Sequence, residues 1–347
     1  TRSYSGTGVQ TCALPISETL VRIDSYSLLA RVVVEGFLSG LHRSLFQGFG
    51  SEFFQYRNYV PGDDLKYVDW KVYSRQNKFY TKVFQQETNL NCSILLDTSA
   101  SMAYQGQRSA CAKVRYAAML AACIAYLAQR QGDSVGFYAY GDALHTCLPP
   151  GQRVDGVHRV FNELTRLEAA GKADHDGALG YVAEHLRRRG LVVLISDLHG
   201  AETDLGAWVK RFRFAHHDTV VFQILDRDEL DLPFSSTVCF VDSESGQEIT
   251  TAPELVAAGY RRAMDRFTDS ARRTCLSQQA DYLLVPTSEN LGKLLAAYCT
   301  PGGALGCDYI RLTLGFGQDG KGPRRTPGTE NRIGRPSLPE KKKNIQT

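Results

Sequence analysis

The sequence lacks any hydrophobic run long enough to cross a bilayer and any cysteine pair spaced for a structural metal site. The longest apolar stretch, residues 117–128, contains Tyr126 and stops at Gln129 and Arg130, short of the roughly 18 residues that a membrane helix needs. Nine cysteines occur, and none forms a Cys-x-x-Cys pair. An odd count without a disulfide framework indicates a reducing compartment, so we expect a cytoplasmic protein with no transmembrane segment.

An excess of one charge and two well-known catalytic motifs are also missing. Lys and Arg number 40 against 37 Asp and Glu, giving a net charge of +3, too balanced to predict a nucleic-acid partner. There is no Gly-Lys-Ser/Thr phosphate loop and no Gly-x-Ser-x-Gly nucleophile elbow, which argues against P-loop nucleotide hydrolases and α/β-hydrolases. The hydrophobic content of 43% is that of an ordinary globular protein.

What the chain does have is a short apolar run that ends in an acid and two hydroxyls. Ile94–Leu96 is apolar on both faces, as in a buried parallel strand, and Asp97, Ser99 and Ser101 follow at alternate positions. Open α/β sheets bind ligands at this end of a strand, and one carboxylate with two hydroxyls suits Mg²⁺. The alternative is an Asp-Ser turn that caps the next helix.

Apolar segments of strand and helix type alternate along most of the chain. Helices are predicted at residues 17–39, 109–130, 157–167, 177–189, 205–214, 253–279 and 289–298, and strands at 79–84, 94–96, 134–140, 191–196, 219–225, 238–241 and 281–285. Strands that alternate with helices predict an α/β fold with a mainly parallel central sheet covered by helices on both faces.

The Asp-x-Ser-x-Ser pattern at Asp97 resembles the metal-ion-dependent adhesion motif of von Willebrand factor A-type domains. A second signature lies upstream and comprises Gly48-Phe49-Gly50-Ser51-Glu52-Phe53, Arg57, Tyr59, Pro61-Gly62-Asp63-Asp64, Asp69-Trp70 and Arg75. Together the two signatures resemble the bacterial family known as domain of unknown function 58, whose members carry an A-type core. The resemblance runs from about residue 41 to about residue 298.

The resemblance implies a metal site built from three loops. The first loop supplies Asp97, Ser99 and Ser101, and the third supplies Asp197 after a hydrophobic strand. The second loop normally supplies a threonine, but Ala173 falls on that position here, so we expect Mg²⁺ or another divalent cation to bind weakly or not at all. Asp174 or Asp176 substitutes for the threonine in this interpretation, or water fills the gap.

The resemblance also implies a function and a partner. Such sites hold the ion with an open position for a carboxylate from another protein, which predicts a non-enzymatic interaction module. Related proteins are associated with MoxR-type AAA+ ATPases in chaperone-like or assembly work, so an ATPase of that type is the expected partner. The alternative is a Mg²⁺-dependent hydrolase in which Asp97 and Asp197 hold the ion and His175 acts as base.

An acidic turn at Asp63, Asp64 and Asp69 allows two interpretations. These carboxylates lie either near the Asp97 loop or on a partner-binding face, or they pair with Arg57 and Arg75 and hold an extended module against the sheet. Arginine binds carboxylates bidentately, and its presence on both sides of the turn favours the structural interpretation.

Composition divides the chain into four parts. Residues 1–16 resemble a translated sequencing adapter, or else an ordinary disordered end, and 17–90 hold an amphipathic helix and the upstream signature. Residues 91–299 form the A-type domain. Residues 300–347 are rich in glycine, proline and lysine, which predicts a disordered or frameshifted tail rather than a basic tail that binds membranes or nucleic acid.

Deletion of residues 1–16 should leave the melting temperature unchanged within error, because this segment shows no apolar periodicity with which to join the core. Thermal unfolding of the full and shortened chains, followed by circular dichroism, measures this. A clear loss of stability would show that the segment is part of the fold.

Overall fold

The structure, a computed structural model, describes residues 20–44, 55–58, 70–76, 79–83, 90–151, 155–201, 203–234, 236–244 and 246–299. Its strands are β1 (Gln55–Asn58), β2 (Tyr80–Val83), β3 (Asn91–Asp97), β4 (Ser134–Tyr140), β5 (Leu144–Leu148), β6 (Gly190–Ser196), β7 (Asp218–Leu225), β8 (Val238–Val241), β9 (Glu248–Thr251) and β10 (Asp281–Pro286). Its helices are α1 (Tyr26–Ser44), α2 (Trp70–Gln76), α3 (Lys113–Arg130), α4 (Gly156–Leu164), α5 (His175–His185), α6 (Leu205–Phe214), α7 (Arg227–Asp231), α8 (Pro253–Ser277) and α9 (Leu291–Cys299).

Six of these strands form one sheet in the order β10-β7-β6-β3-β4-β5. All neighbours are parallel except β5, which runs antiparallel to β4 at the edge. The predicted α/β fold with a mainly parallel sheet is confirmed. The order places β3 and β6 side by side, so the loops that follow these two strands leave the sheet at the same edge.

Helices cover both faces of the sheet, which explains why the central strands are apolar throughout. On one face Ile94 and Leu96 join a core cluster with α1, α3, α4 and α9. On the other face Leu95 packs in a second cluster with α5, α6 and α8. Successive side chains of a strand point to opposite faces, so a strand buried on both sides shows no polar alternation.

The helix α3 lies in the middle of the first cluster because its side chains are small. Its alanines at 117, 118, 121, 122, 125 and 128 are all buried, which allows α1 and the sheet to approach its backbone closely. Leu29, Val33 and Phe37 of α1 pack into the same cluster. Among the described residues, no helix combines the length and apolarity needed to cross a bilayer.

The amphipathic helix predicted at residues 17–39 forms, but its main part begins later, at Tyr26, and continues to Ser44. Leu28 and Val32 are apolar residues of this helix, yet they are 54% and 39% exposed. The buried stripe lies one column further round the helix, through Leu29, Ala30, Val33, Val34 and Phe37. Because two adjacent columns of this helix are apolar, the sequence alone does not show which of them is buried.

Short elements differ most from the prediction. The strand predicted at 79–84 exists as β2, but it pairs with β1 in a separate antiparallel ribbon and does not extend the central sheet. The sequence pattern gave no indication of β5, β9 or α7, which are only four or five residues long. The acidic turn with Asp63, Asp64 and Asp69 and the end segments 1–16 and 300–347 lie outside the described residues.

Val33→Ala should lower the free energy of unfolding by about 2 kcal/mol, because it removes two methyl groups from a side chain that is 2% exposed. The control is Val32→Ala, which makes the same change on the same helix at a side chain that is 39% exposed and should cost less than about 0.5 kcal/mol. Urea unfolding of both variants measures the difference. Equal losses would contradict the described packing of α1.

Candidate functional site

The three predicted loops meet at the carboxyl edge of the sheet. The loops after β3 and β6 are neighbours because their strands are neighbours. The second loop is joined to the first by two backbone hydrogen bonds, in which Ala170 N donates to Thr98 O at 2.9 Å and Ala100 N donates to Gly171 O at 2.8 Å. The fold therefore brings the three loops to one place.

Asp97 ends β3 and is completely buried. Its Oδ1 accepts from the Ser99 backbone N–H at 2.9 Å, and its Oδ2 accepts from Ser196 Oγ at 2.6 Å. No ion pair joins it to a cationic side chain of the described residues. Burial and the nearby charge of Asp197 raise its pKa, although His175 and the two hydrogen bonds act in the opposite direction.

Two hydroxyls stand beside Asp97 on the same loop. Ser99 Oγ and Ser101 Oγ lie 3.0 Å apart, and both side chains are buried. Serine hydroxyls keep lone pairs for a further partner when they hydrogen-bond to each other. Asp97, Ser99 and Ser101 thus form a set of oxygen donors of the kind that Mg²⁺ prefers, since Mg²⁺ retains several waters and needs few protein ligands.

Asp197 follows β6 and is also completely buried, but unlike Asp97 it is paired with a cationic side chain. Oδ1 accepts from the His199 backbone N–H at 3.1 Å, and Oδ2 accepts from Lys113 Nζ at 2.9 Å. Burial raises the pKa of Asp197, but the charge of Lys113 with the hydrogen bonds outweighs this, so the net shift is downward. The two carboxylates therefore differ, because only Asp197 has a cationic partner at contact distance.

The acids of the second loop serve local structure. Asp174 is exposed, and its Oδ1 accepts from the Gly177 backbone N–H at 3.0 Å, so it caps the N-terminus of α5. Asp176, the other expected substitute, accepts a hydrogen bond from the indole N–H of Trp208. In the described parts of the chain no three Asp, Glu, His or Cys side chains are grouped as a metal-binding set. Asp174 therefore does not join Asp97 and Asp197 in such a group.

The contacts of His175 bear on the hydrolase alternative. Its ring is buried, with Nε2 3.0 Å from the carbonyl oxygen of His199 and Nδ1 3.3 Å from Tyr140 Oη. The carbonyl can only accept, so Nε2 donates and Nδ1 accepts from the tyrosine in the neutral ring. Neither nitrogen is left for a water molecule at Asp97.

Lys113 and Glu229 were not predicted to belong to the site. Lys113 Nζ contacts Glu229 Oε1 at 2.7 Å in addition to Asp197. A signal for Lys113 was present, because it precedes Ala117 and Ala121 at intervals of four residues on the buried face of α3. Glu229 had no such signal, since α7 is only five residues long.

Glu244 is a further acid that the sequence did not single out. It lies between β8 and β9, and its Oε1 is shielded from solvent and has no hydrogen-bond partner among the described residues. Burial and the charge of Asp197 raise the pKa of Glu244, while His199 and Lys172 act in the opposite direction. The edge of the sheet thus carries an excess of carboxylate over cationic groups.

Without divalent cations, Asp97→Asn should make the protein more stable than the wild type at pH 7. The raised pKa means that the folded state favours the protonated form of Asp97. The stabilisation of the folded state that comes from this protonation is present below the unfolded pKa of about 4 and is lost as pH rises through the folded pKa. Between the two pKa values the advantage of asparagine should grow by up to about 1.4 kcal/mol per pH unit.

Urea unfolding in chelator at pH 4, 5.5 and 7 measures this difference. The exposed Asp24→Asn provides the control for loss of one carboxylate. If Asp97→Asn is less stable than the wild type at pH 7, the burial of an uncompensated charge at this position is disproved.

Comparison with known proteins places these loops in a family. The family described as Protein of unknown function DUF58 matches residues 55–273. The uncharacterized protein Rv1480 of Mycobacterium tuberculosis is 29% identical over 257 residues, which cover 72% of this chain and 79% of that protein. The Mycobacterium bovis protein Mb1516 matches with the same identity and coverage.

Solved structures similar to this chain include an aerotolerance-related membrane protein from Bacteroides fragilis, at 21% identity and a TM-score of 0.40, covering 60% of this chain and 96% of that chain. The SpRpn10 VWA domain is similar at 14% identity and a TM-score of 0.38, covering 60% of this chain and 95% of that chain. The family match includes all three loops of the site and more than half of the sequence. The chain belongs to the DUF58 family.

Proposed function

We propose that this chain is a protein-interaction module that binds a carboxylate of a partner protein through a divalent cation held by Asp97, Ser99 and Ser101. The observation that carries the proposal is the state of Asp97, which is completely buried and forms no ion pair with a described side chain. A buried carboxylate without a counter-charge is costly, and a bound cation would remove that cost.

The donor set fits the ion in its chemistry. Asp97 offers a carboxylate, and Ser99 and Ser101 offer two hydroxyls 3.0 Å apart on the same loop. When bound, a hard divalent cation supplies a positive charge with open coordination positions for water or a carboxylate. The backbone N–H of Ser99 and the hydroxyl of Ser196 hold the Asp97 carboxylate in a fixed orientation.

Asp197 supports the ion from a distance in this proposal. Lys113 already neutralises part of its charge at contact distance, so its contribution is a negative charge beside Asp97 rather than a ligand atom. Ala173 offers no oxygen, and Asp174 caps α5. The resulting small number of protein ligands favours weak binding of a small ion that keeps its waters, such as Mg²⁺.

The proposed partner is a MoxR-type AAA+ ATPase, by resemblance to DUF58 proteins. The basis in the chain itself is the type of site, which lies at the carboxyl edge of a sheet and presents oxygen donors for an ion. The His175 contacts support an interaction role over hydrolysis, because both ring nitrogens are hydrogen-bonded.

Binding of the ATPase to this chain should weaken at least about tenfold on chelation and to the same extent on Asp97→Asn, because both remove the ion that bridges the two proteins. Biolayer interferometry with immobilised ATPase, with and without Mg²⁺, measures this. Asp24→Asn should retain wild-type affinity, and circular dichroism checks that each variant is folded.

Chelator-insensitive binding would contradict the metal bridge and would turn attention to the acidic turn at Asp63. Hydrolysis of a phosphate or ester substrate that is lost on Asp97→Asn would favour the enzyme alternative instead. Chelator-insensitive binding is seen as an interferometry signal and hydrolysis as product formation, so neither result is confused with a simple lack of binding to the ATPase.

A further inference from the structure

The side chain of Lys113 is completely buried between two carboxylates at the functional edge. Its Nζ lies 2.9 Å from Asp197 Oδ2 and 2.7 Å from Glu229 Oε1, and it stands 5.9 Å from the centre of the Tyr104 ring. Burial lowers the pKa of Lys113, but the two carboxylates outweigh this and the net shift is upward. Lysine is an ammonium ion at neutral pH at its ordinary pKa, and two carboxylates at contact distance favour that form.

The position of this ammonium ion is fixed from both sides. Glu229 Oε2 accepts from the Asp226 backbone N–H at 2.7 Å in the capping box of α7, so Glu229 is held in place while Oε1 contacts Lys113. Asp197 is held by the His199 N–H through its other oxygen. Charge-assisted hydrogen bonds of this length are strong, so Lys113 does not leave the carboxylates readily.

The charges around Lys113 leave room for one divalent cation. Asp97, Asp197 and Glu229 contribute three formal negative charges and Lys113 contributes one positive charge, so these four side chains carry a net charge of minus two. Lys113 is shared by Asp197 and Glu229, so these three side chains together carry a charge of minus one. Asp97, beside Ser99 and Ser101, carries the other negative charge and has no cationic partner among the described residues.

We propose that Lys113 is a resident cation of the site: it occupies Asp197, restricts an incoming divalent ion to Asp97, Ser99 and Ser101, and so sets the affinity of the site for metal. This inference rests on the proposed function. It explains in charge terms why Asp197, predicted as a metal ligand, is paired with a lysine. It also means that the positive charge of Lys113 repels a divalent ion that approaches Asp197.

The test uses the double variant Lys113→Met/Glu229→Gln, with Mn²⁺ alone as the probe. Removing Lys113 by itself would leave the buried Asp197 and the partly buried Glu229 both without a counter-charge, which is strongly destabilising. The double variant removes one charge of each sign, so the net charge is unchanged, and methionine replaces most of the length of the lysine side chain. Calorimetric titration or the electron paramagnetic resonance signal of free Mn²⁺ measures binding at pH 7.

The double variant should bind Mn²⁺ at least about tenfold more tightly than the wild type, because Asp197 loses its cationic partner and the charge that repels the ion is gone. The control Glu229→Gln keeps Lys113 and concentrates it on Asp197, so this variant should bind Mn²⁺ no more tightly than the wild type. Adding Asp97→Asn to the double variant should abolish the gain.

Each outcome separates this inference from the proposed function. If the wild type binds Mn²⁺ in an Asp97-dependent way and the double variant binds no more tightly, the role of Lys113 is disproved and the metal site stands. If only the double variant binds Mn²⁺, the inference holds and the metal bridge in the native chain fails. If neither binds, both fail.

Two further results overturn the inference alone. One is tighter Mn²⁺ binding by Glu229→Gln, which retains Lys113, and this arm remains decisive if the double variant does not fold. The other is a gain in the double variant that survives Asp97→Asn, since the ion would then bind elsewhere.

Discussion

The arrangement of the site depends on the burial of two carboxylates at the ends of adjacent parallel strands. Asp97 and Asp197 are both inaccessible to solvent, and each raises the cost of a negative charge on the other. The fold resolves this by giving a cation to one of them. Lys113 pairs with Asp197, whereas Asp97 has no cationic partner among the described residues and has two serine hydroxyls beside it.

The contacts of Lys113 also hold the neighbouring loops together. Lys113 connects the start of α3 to the loop after β6 through Asp197 and to α7 through Glu229. The segment before α3 is fastened to the same region, because the Gly106 backbone N–H donates to Asp226 Oδ2 at 3.0 Å. A change of charge at Asp97 or Asp197 therefore acts on loops that follow three different strands, β3, β6 and β7.

The sequence predicted the parts of this structure that depend on apolar periodicity. The bounds of β4 and α6 agree with the prediction, because β4 is a continuous apolar segment and α6 has apolar residues at helical spacing. Asp97, Ser99 and Ser101 were predicted together, since their spacing within one loop is local information. The roles of Asp174 and Lys113 depend on contacts with side chains or backbone that the spacing does not reveal, and α7, which positions Glu229, is too short to show a period.

A crystal of the protein soaked in Mn²⁺ would show whether the Asp97 loop holds a divalent cation. We expect an anomalous difference peak at coordination distance from Asp97, Ser99 and Ser101, with Lys113 still in contact with Asp197. A map without a peak at this loop, from crystals in which Mn²⁺ has reached other surface carboxylates, would contradict it.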